Sequence, residues 1–147
     1  MTSHLNPYIS FDGNAREALE FYRDVLGGDL KLNTYGEYAD PESTGAGEIT
    51  HGKLETDKIM HGMLETPMGF TLMGADNAPG IEYRPGNNIA MSLSGDDGDA
   101  LRGYWKKLSE GGSVTVPLEK QMWGDEFGML TDRFGTAWMV NVSQSGG

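Results

Sequence analysis

The N-terminal part of the chain changes its hydrophobic period within a short distance. Segment Tyr8–Asp12 alternates apolar and polar residues, which predicts a half-buried strand. From Ala15 to Leu26 the apolar positions instead recur every three or four residues and form one stripe, which predicts a helix. Asn14 is a suitable N-cap, and Gly27 and Gly28 are suitable residues to end the helix.

The same pattern returns later in the chain. Ile9–Leu26 and Met91–Leu108, at an offset of 82 in the numbering, share Ser, Gly, Ala, Leu, Tyr and Leu at matching positions. His61–Met73 and Phe127–Met139, at an offset of 66, share Gly, Met, Leu, Gly and Met. Because two matches occur in the same order, we interpret the chain as a duplicated module.

Each copy is predicted as strand, helix, strand, strand, strand, which gives an α+β fold. We predict one domain over 1–147, with module one at about 6–76, a linker at 77–87 and module two at about 88–143. The predicted elements after the first helix are strands near Asp29–Tyr35 and Val114–Leu118, a second helix over Asp99–Glu110, and two hairpins, Met60–Glu65 with Phe70–Met73 and Glu126–Thr131 with Ala137–Val142. Residues 36–58 are polar and acidic, and we expect a long excursion there.

Strand alternation assigns a face to each side chain. One face is expected to line a cavity: Tyr8, Ser10, Thr71, Met73, Asn88, Ala90, Ser92, Met139 and Asn141. The other is expected to pack under the helices: Ile9, Phe11, Phe70, Leu72, Ile89, Met91, Leu93, Trp138 and Val140.

Composition narrows the possible partners. The chain carries 22 acidic and 11 basic residues, for a net charge of −11, so its field repels nucleic acid. No apolar run is long enough to cross a bilayer, and the N-terminus does not resemble a signal peptide, so we expect a cytoplasmic protein without membrane association. The absence of cysteine excludes disulfides, thiolate metal sites and a cysteine nucleophile.

Several segments resemble the vicinal oxygen chelate superfamily, the glyoxalase/bleomycin resistance/dioxygenase group. The resemblance rests on "ALEFYRDVLGG" after the first strand and "DRFGTAW" before the last. "PYISFDGNAREALEFYRDVLGG", "MHGMLE" and "WGDEFGMLTDRFGTAWMVN" look more narrowly like its PhnB-like branch. The resemblance covers nearly the whole chain and implies the glyoxalase-like fold, in which tandem βαβββ modules form cupped mixed sheets around a small-molecule site.

Metal-dependent members of this superfamily use His, Gln or Glu from the first and last strand of each module. Carried onto this sequence, those positions are Asn6, Met73, Asn88 and Met139. Thioether and amide groups are poor ligands for the hard or borderline ions of that chemistry. We therefore expect no metal and no cofactor at these positions.

His61 is the one candidate catalytic residue, because it interrupts an otherwise apolar strand. It is either a general base or ligand-orienting donor at the rim of the cavity, or a structural imidazole bonded to the backbone. If the residue numbers of two paired residues in the hairpin add up to 135, His61 points towards the helix. If they add up to 136, His61 points into the cavity. The sequence leaves both registers open.

We expect ligand-binding side chains at Tyr8, Tyr38, Met73, Asn88, Trp123 and Met139. An aromatic and thioether cavity without a reactive group is typical of a binding protein. The predicted function is metal-free binding of a small molecule, in the manner of bleomycin-resistance proteins. The alternative is an enzyme of the same superfamily, a lyase, isomerase or dioxygenase-like protein, that uses His61 or a non-standard metal site. Open sheet edges also lead us to expect a homodimer.

Overall fold

A computed structural model describes residues 3–38, 57–78 and 81–144. The chain divides into two compact units, Met1–Arg84 and Pro85–Gly147. The first unit contains module one and the second contains module two. Most of the predicted excursion at 36–58 lies outside the described residues.

Each unit places one long helix against a four-stranded sheet. In module one the elements are β1 (Tyr8–Phe11), α1 (Ala15–Leu26), β2 (Asp29–Thr34), the short helix α2 (Tyr35–Tyr38), β3 (Ile59–Glu65) and β4 (Thr71–Asp76). In module two they are β5 (Met91–Gly95), α3 (Gly98–Ser109), β6 (Ser113–Lys120), β7 (Glu126–Thr131) and β8 (Ala137–Val142). Within the described ranges, no helix has the length and apolar character needed to cross a bilayer.

Both sheets have the same topology. The strand orders are β1-β4-β3-β2 and β5-β8-β7-β6. In each sheet the first strand runs parallel to the last, and the other neighbouring strands are antiparallel. These are two mixed βαβββ sheets, and they confirm the predicted α+β, glyoxalase-like fold.

One face of each sheet packs against the long helix of its own module. The stripe on α1 is buried as predicted: Ala15, Ala18, Leu19, Tyr22, Val25 and Leu26. Two sheet glycines allow the close approach. A Cβ on Gly62 would lie 2.4 Å from Leu19 Cδ1, and a Cβ on Gly128 would lie 2.7 Å from Trp105 Cη2. Each module therefore requires a glycine at the same position of the sheet beneath its helix, because a side chain there would clash.

The β3–β4 and β7–β8 hairpins close with the same turn. Thr66 N donates to Phe70 O and Gly69 N to Thr66 O; the corresponding donors in module two are the backbone N–H groups of residues 132 and 135. Gly69 and Gly135 both adopt φ +89°, a left-handed conformation that favours glycine. The predicted turns are therefore present, and residues 66 and 132 hold equivalent places.

The offset of 82 between first strands needs correction. Tyr8 pairs with Met73, whereas Met139 pairs with Ser92, so the structural offset between the first strands is 84. Because 82 and 84 are both even, the facing of the side chains is unchanged. Asn6 and Asn88 differ by 82 in the numbering and are consequently not at equivalent register positions.

Two residues assigned to the helix-packed faces are exposed instead. Phe70 is 40% exposed and Ile89 is 79% exposed. Phe70 lies in the turn because β4 begins one residue later, and Ile89 precedes the start of β5. Alternation does not hold past the ends of the two strands, because pleating no longer determines which way a side chain points there.

Candidate functional site

The face of the first sheet that points away from α1 carries most of the predicted chemistry. Tyr8 lies opposite Met73, Met73 opposite Met63, and Met63 opposite Lys31. One row further along, Asn33 lies opposite His61. We call this surface the module-one face; it comprises Tyr8, Ser10, Lys31, Asn33, His61, Met63, Glu65, Thr71, Met73 and Ala75.

The register settles the orientation of His61. Met63 pairs with Met73 and Gly62 with Gly74, so the residue numbers of paired residues in this hairpin add up to 136. His61 therefore shares its face with both methionines and points away from α1. The helix-facing alternative is wrong. The length of the hairpin loop determines whether the numbers of paired residues add up to 135 or 136. Alternation within β3 alone does not show which sum applies.

Tyr8 and His61 are joined by a hydrogen bond. The Tyr8 hydroxyl lies 3.3 Å from His61 Nδ1, and the ring centroids are 5.7 Å apart. Tyr8 is 51% exposed, whereas His61 is half-buried. The register places Ala75, a small and buried residue, on the strand between them. Its short side chain leaves room for the tyrosine ring to reach across β4.

A second tyrosine lies close to this pair. Burial raises the pKa of the Tyr35 hydroxyl above its ordinary value of 10.0, and the nearby Tyr8 and Asp76 raise it further. Tyr35 therefore stays protonated and uncharged at neutral pH. Its backbone N donates to Lys58 O at 3.0 Å, which fixes the start of α2 against the beginning of β3.

Asp76 has a structural role close to the module-one face. It is 4% exposed, and its two carboxylate oxygens accept from Ala15 N at 2.9 Å and from Ile59 N at 2.7 Å. A carboxylate at the first turn of α1 also interacts favourably with the positive end of the helix. Asp76 thus ties the helix to β3 and β4.

The corresponding face of module two has a different character. Met129 lies opposite Met139, and Met139 beside Ser92, so a second cross-strand methionine pair is present. Phe127 stands where module one has His61, and it lies opposite Asn141. This face offers aromatic and thioether groups without an imidazole.

Trp123 extends this aromatic surface. Its ring centroid lies 6.1 Å from that of Phe127, and the residue is 60% exposed. The loop is firmly held, because Gln121 N donates to Asp125 O at 2.7 Å and Asn141 Nδ2 donates to the Asp125 carboxylate at 3.1 Å. The tryptophan is therefore displayed on a structured turn.

The predicted ligand-binding residues fall into two groups and two isolated positions. Tyr8 and Met73 belong to the module-one face together with His61, while Met139 and Trp123 belong to the face around Phe127. Asn88 is exposed and precedes β5, and Tyr38 is the last residue of α2. Reasoning from sequence missed the roles of Met63, Met129 and Ala75; each follows from alternation once the hairpin register is known.

The structure tests whether the family metal positions can hold a hard ion. Met73 and Met139 each lie opposite another methionine, so their strand neighbours supply thioethers and not carboxylates. Among the described residues, no group of three His, Cys, Asp or Glu side chains is placed to hold a metal. This donor set does not fit the divalent ions that such sites use.

An open groove of about 370 Å³ lies elsewhere, at the N-terminal end of α3. It is lined by Asp96, Asp97, Gly98, Asp99, Arg102, Val142, Ser143 and Gln144. At this end of the helix, the Arg102 guanidinium forms a two-bond ion pair with Glu126, which lowers the pKa of the Glu126 carboxyl below its ordinary value. None of the predicted site residues lines this groove.

Taken together, the two mixed βαβββ sheets and their methionine-bearing faces define a tandem α+β protein of the glyoxalase type. The sequence pattern of the Glyoxalase/Bleomycin resistance protein/Dioxygenase superfamily matches residues 4–140. The chain belongs to this superfamily, as its motifs predicted.

Individual relatives agree with this assignment. The crystal structure of protein PA1353 from Pseudomonas aeruginosa is 38% identical with a TM-score of 0.79, and the match covers 98% of this chain and 100% of that one. Protein YjdN of Escherichia coli is 25% identical over 139 residues, with 94% of each chain covered. The PhnB protein from Bacillus cereus has a TM-score of 0.68 at 19% identity, covering 96% of this chain and 100% of that one, and it supports the fold alone.

Proposed function

We propose that the protein binds a small organic molecule on the module-one face without the aid of a divalent metal. The observation that carries this proposal is the half-exposed Tyr8, hydrogen-bonded to His61 beside the paired Met63 and Met73. Flexible thioethers adapt to an apolar ring, while the tyrosine and histidine supply the few directed polar contacts that a binding site needs.

The ligand class follows from these groups. A planar aromatic molecule suits the thioethers and the Tyr8 ring, since sulfur–aromatic and ring–ring contacts are both favourable. The net charge of −11 raises the local concentration of cations around the chain. An aromatic cation is therefore the preferred class, with the charge acting mainly at long range and at low salt.

The test uses two matched probes, 1-naphthylmethylamine and the uncharged 1-naphthylmethanol, titrated calorimetrically into the full chain. We expect both to bind, with the amine favoured at low salt. Met73→Ala is expected to weaken binding about tenfold by removing apolar contact area. Met129→Ala, which removes a methionine from the corresponding face of module two, is the control and should leave affinity unchanged. If neither probe binds, or if the two variants lose affinity equally, the proposal is refuted.

The Tyr8–His61 hydrogen bond also favours a second candidate, an acid–base enzyme of the same superfamily. A histidine oriented by a partner is a suitable general base. This function requires that the wild-type protein converts a carbonyl compound and that the His61→Phe variant does not. The conversion is followed by NMR. Turnover that persists in His61→Phe would exclude His61 as the base.

The homodimer and the cytoplasmic location stay predictions. Exposed apolar residues such as Trp123 and Ile89 favour self-association. Light scattering at micromolar concentration and physiological salt should give twice the 16.0 kDa mass of one chain. A mass of one chain would refute the dimer.

A further inference from the structure

The methionines on the module-one face have a geometry that the proposed organic ligand does not require. Met63 and Met73 are direct cross-strand partners, and both are half-buried. Directly opposite residues on antiparallel strands have Cα atoms roughly 4.5–5.5 Å apart. His61 follows on the same face, two residues along β3, or about 6.6 Å. Two thioethers and one imidazole therefore project from a single small area.

These three donors can converge on one ion. A methionine side chain has three rotatable bonds, so two sulfurs from opposite positions can approach a shared centre. Metal–ligand bonds of roughly 2.0–2.3 Å, the lengths that zinc makes to nitrogen and sulfur, lie within reach of side chains spaced in this way. The arrangement provides a three-coordinate set of two sulfurs and one nitrogen.

The hydrogen bond of His61 leaves the required nitrogen available. Its Nδ1 faces the Tyr8 hydroxyl at 3.3 Å, and Nε2 has no hydrogen-bond partner among the described residues. When Nδ1 carries the proton and donates to Tyr8, the lone pair of Nε2 is free to bind a metal. Metal-binding histidines commonly donate their other ring N–H to a neighbour in this way.

We propose that Met63, Met73 and His61 bind one soft monovalent cation of the Cu(I) class. Thioether ligands select soft ions, and hard divalent ions prefer oxygen. Glu65 is the acidic residue next to Met63 on this face, but it lies on the side of Met63 away from His61. Lys31 lies opposite Met63, but it is exposed, so its ammonium group can extend into solvent. This site differs from the proposed organic site in the chemistry of its ligand, but the two share Met63, Met73 and His61, so the ion and the organic molecule should compete.

Module two provides a built-in comparison. Met129 and Met139 form the equivalent cross-strand pair, but Phe127 replaces the histidine. A pair of thioethers without imidazole is expected to hold the ion more weakly. The chain contains no cysteine, so binding of a soft ion cannot be attributed to a thiol.

The test titrates silver nitrate into the full chain in chloride-free buffer, because Ag(I) is a soft monovalent ion that does not change oxidation state here. We expect one tight site by calorimetry. We also expect selective movement of the Met63 and Met73 methyl signals in NMR spectra of protein labelled at methionine methyls. The double variant Met63→Leu/Met73→Leu should weaken binding at least a hundredfold, and His61→Phe at least tenfold.

The matched control is Met129→Leu/Met139→Leu, which should retain the tight site. Leucine conserves volume, and thermal melts will show that each variant is folded. The wild-type methyl spectrum tests the site even if a variant fails to fold. Absence of saturable Ag(I) binding, unmoved Met63 and Met73 methyls, or an equal loss in the control would overturn the proposal. Binding of the naphthyl probes is measured separately, so either proposal can fail while the other stands.

Discussion

The two modules share a framework and differ in the chemistry of the exposed sheet face. Gly62 and Gly128 admit the helix at equivalent points, and residues 66 and 132 close equivalent turns. On the opposite faces, however, module one pairs Tyr8 with His61, whereas module two places Phe127 and a structured Trp123 loop. The comparison teaches that backbone constraints preserve the repeat, while positions outside the helix interface are free to diverge.

The largest expected effect tests the shared framework. A Cβ on Gly28 would lie 2.1 Å from Glu65 O, and a Cβ on Gly112 would lie 2.3 Å from Thr131 O. Gly28→Ala should lower the free energy of unfolding by about 4 kcal/mol, because φ at +110° adds backbone strain to the clash. Gly112→Ala should cost about 3 kcal/mol.

The control for these two variants is Gly69→Ala. Its φ is +89°, but nothing lies within 4 Å of the added Cβ. It should cost only about 1 kcal/mol in urea unfolding experiments. If all three variants unfold at the same urea concentration, the close approaches do not limit stability.

The next prediction compares the side-chain contacts that connect each long helix to its own sheet. Asp76→Ala leaves the Ala15 and Ile59 N–H groups without their carboxylate, in a buried setting. We expect a loss of about 3 kcal/mol, with Asp76→Asn in between because one acceptor oxygen remains. Urea unfolding provides the measurement. An effect below that of Glu126→Gln in module two would contradict the assigned role.

A smaller difference is expected between the hairpin turns. Asp132 accepts from Phe134 N, Thr136 N and Trp138 Nε1, while Thr66 Oγ1 accepts from Phe70 N. Asp132→Ala should therefore cost about 2 kcal/mol and Thr66→Ala about 1 kcal/mol. The near-ultraviolet circular dichroism of Trp138 gives an independent readout, and a reversed order of the two losses would refute this account.

The smallest effect concerns the Arg102–Glu126 ion pair, which lies near the surface. Arg102 lowers the pKa of the Glu126 carboxyl from its ordinary 4.5 in the folded state. Its stabilisation is therefore present above about pH 4.5 and disappears as the pH falls through the folded-state pKa. Arg102→Gln should lower Tm slightly at pH 7, with a smaller gap near pH 3. Lys106→Gln removes the same charge and is the control; a constant gap at both pH values would exclude the ion pair.

The framework could be read from the sequence because it depends on local patterns. The bounds of α1, β7 and β8 match the prediction, and α3 differs by one residue at each end. Helical and strand periods, glycine stops and turn residues all act over short distances, so they are visible in the chain itself.

The candidate site was less accessible because it depends on register. The facing of His61 and the Met63–Met73 pair both require knowing which residues oppose each other across a hairpin. The pairing register depends on the length of the hairpin loop, and a shift of the register by one residue moves every side chain of the strand to the other face. The first-strand offset of 84 in place of 82 likewise became visible only from the pairing of the first strand with the last, which a match between sequence segments does not give.

The parallel pairing of first and last strands has a consequence for the order of folding. Tyr8 meets Met73 and Met91 meets Trp138, so each sheet is complete only after its last strand has been made. Closing such a long loop is slow, since chain entropy is lost before the final contacts form. During synthesis, however, all of β1–β4 precedes the first residue of β5, and domains fold as units as they emerge. The first sheet can therefore close on the ribosome before the strands that resemble it are available as wrong partners.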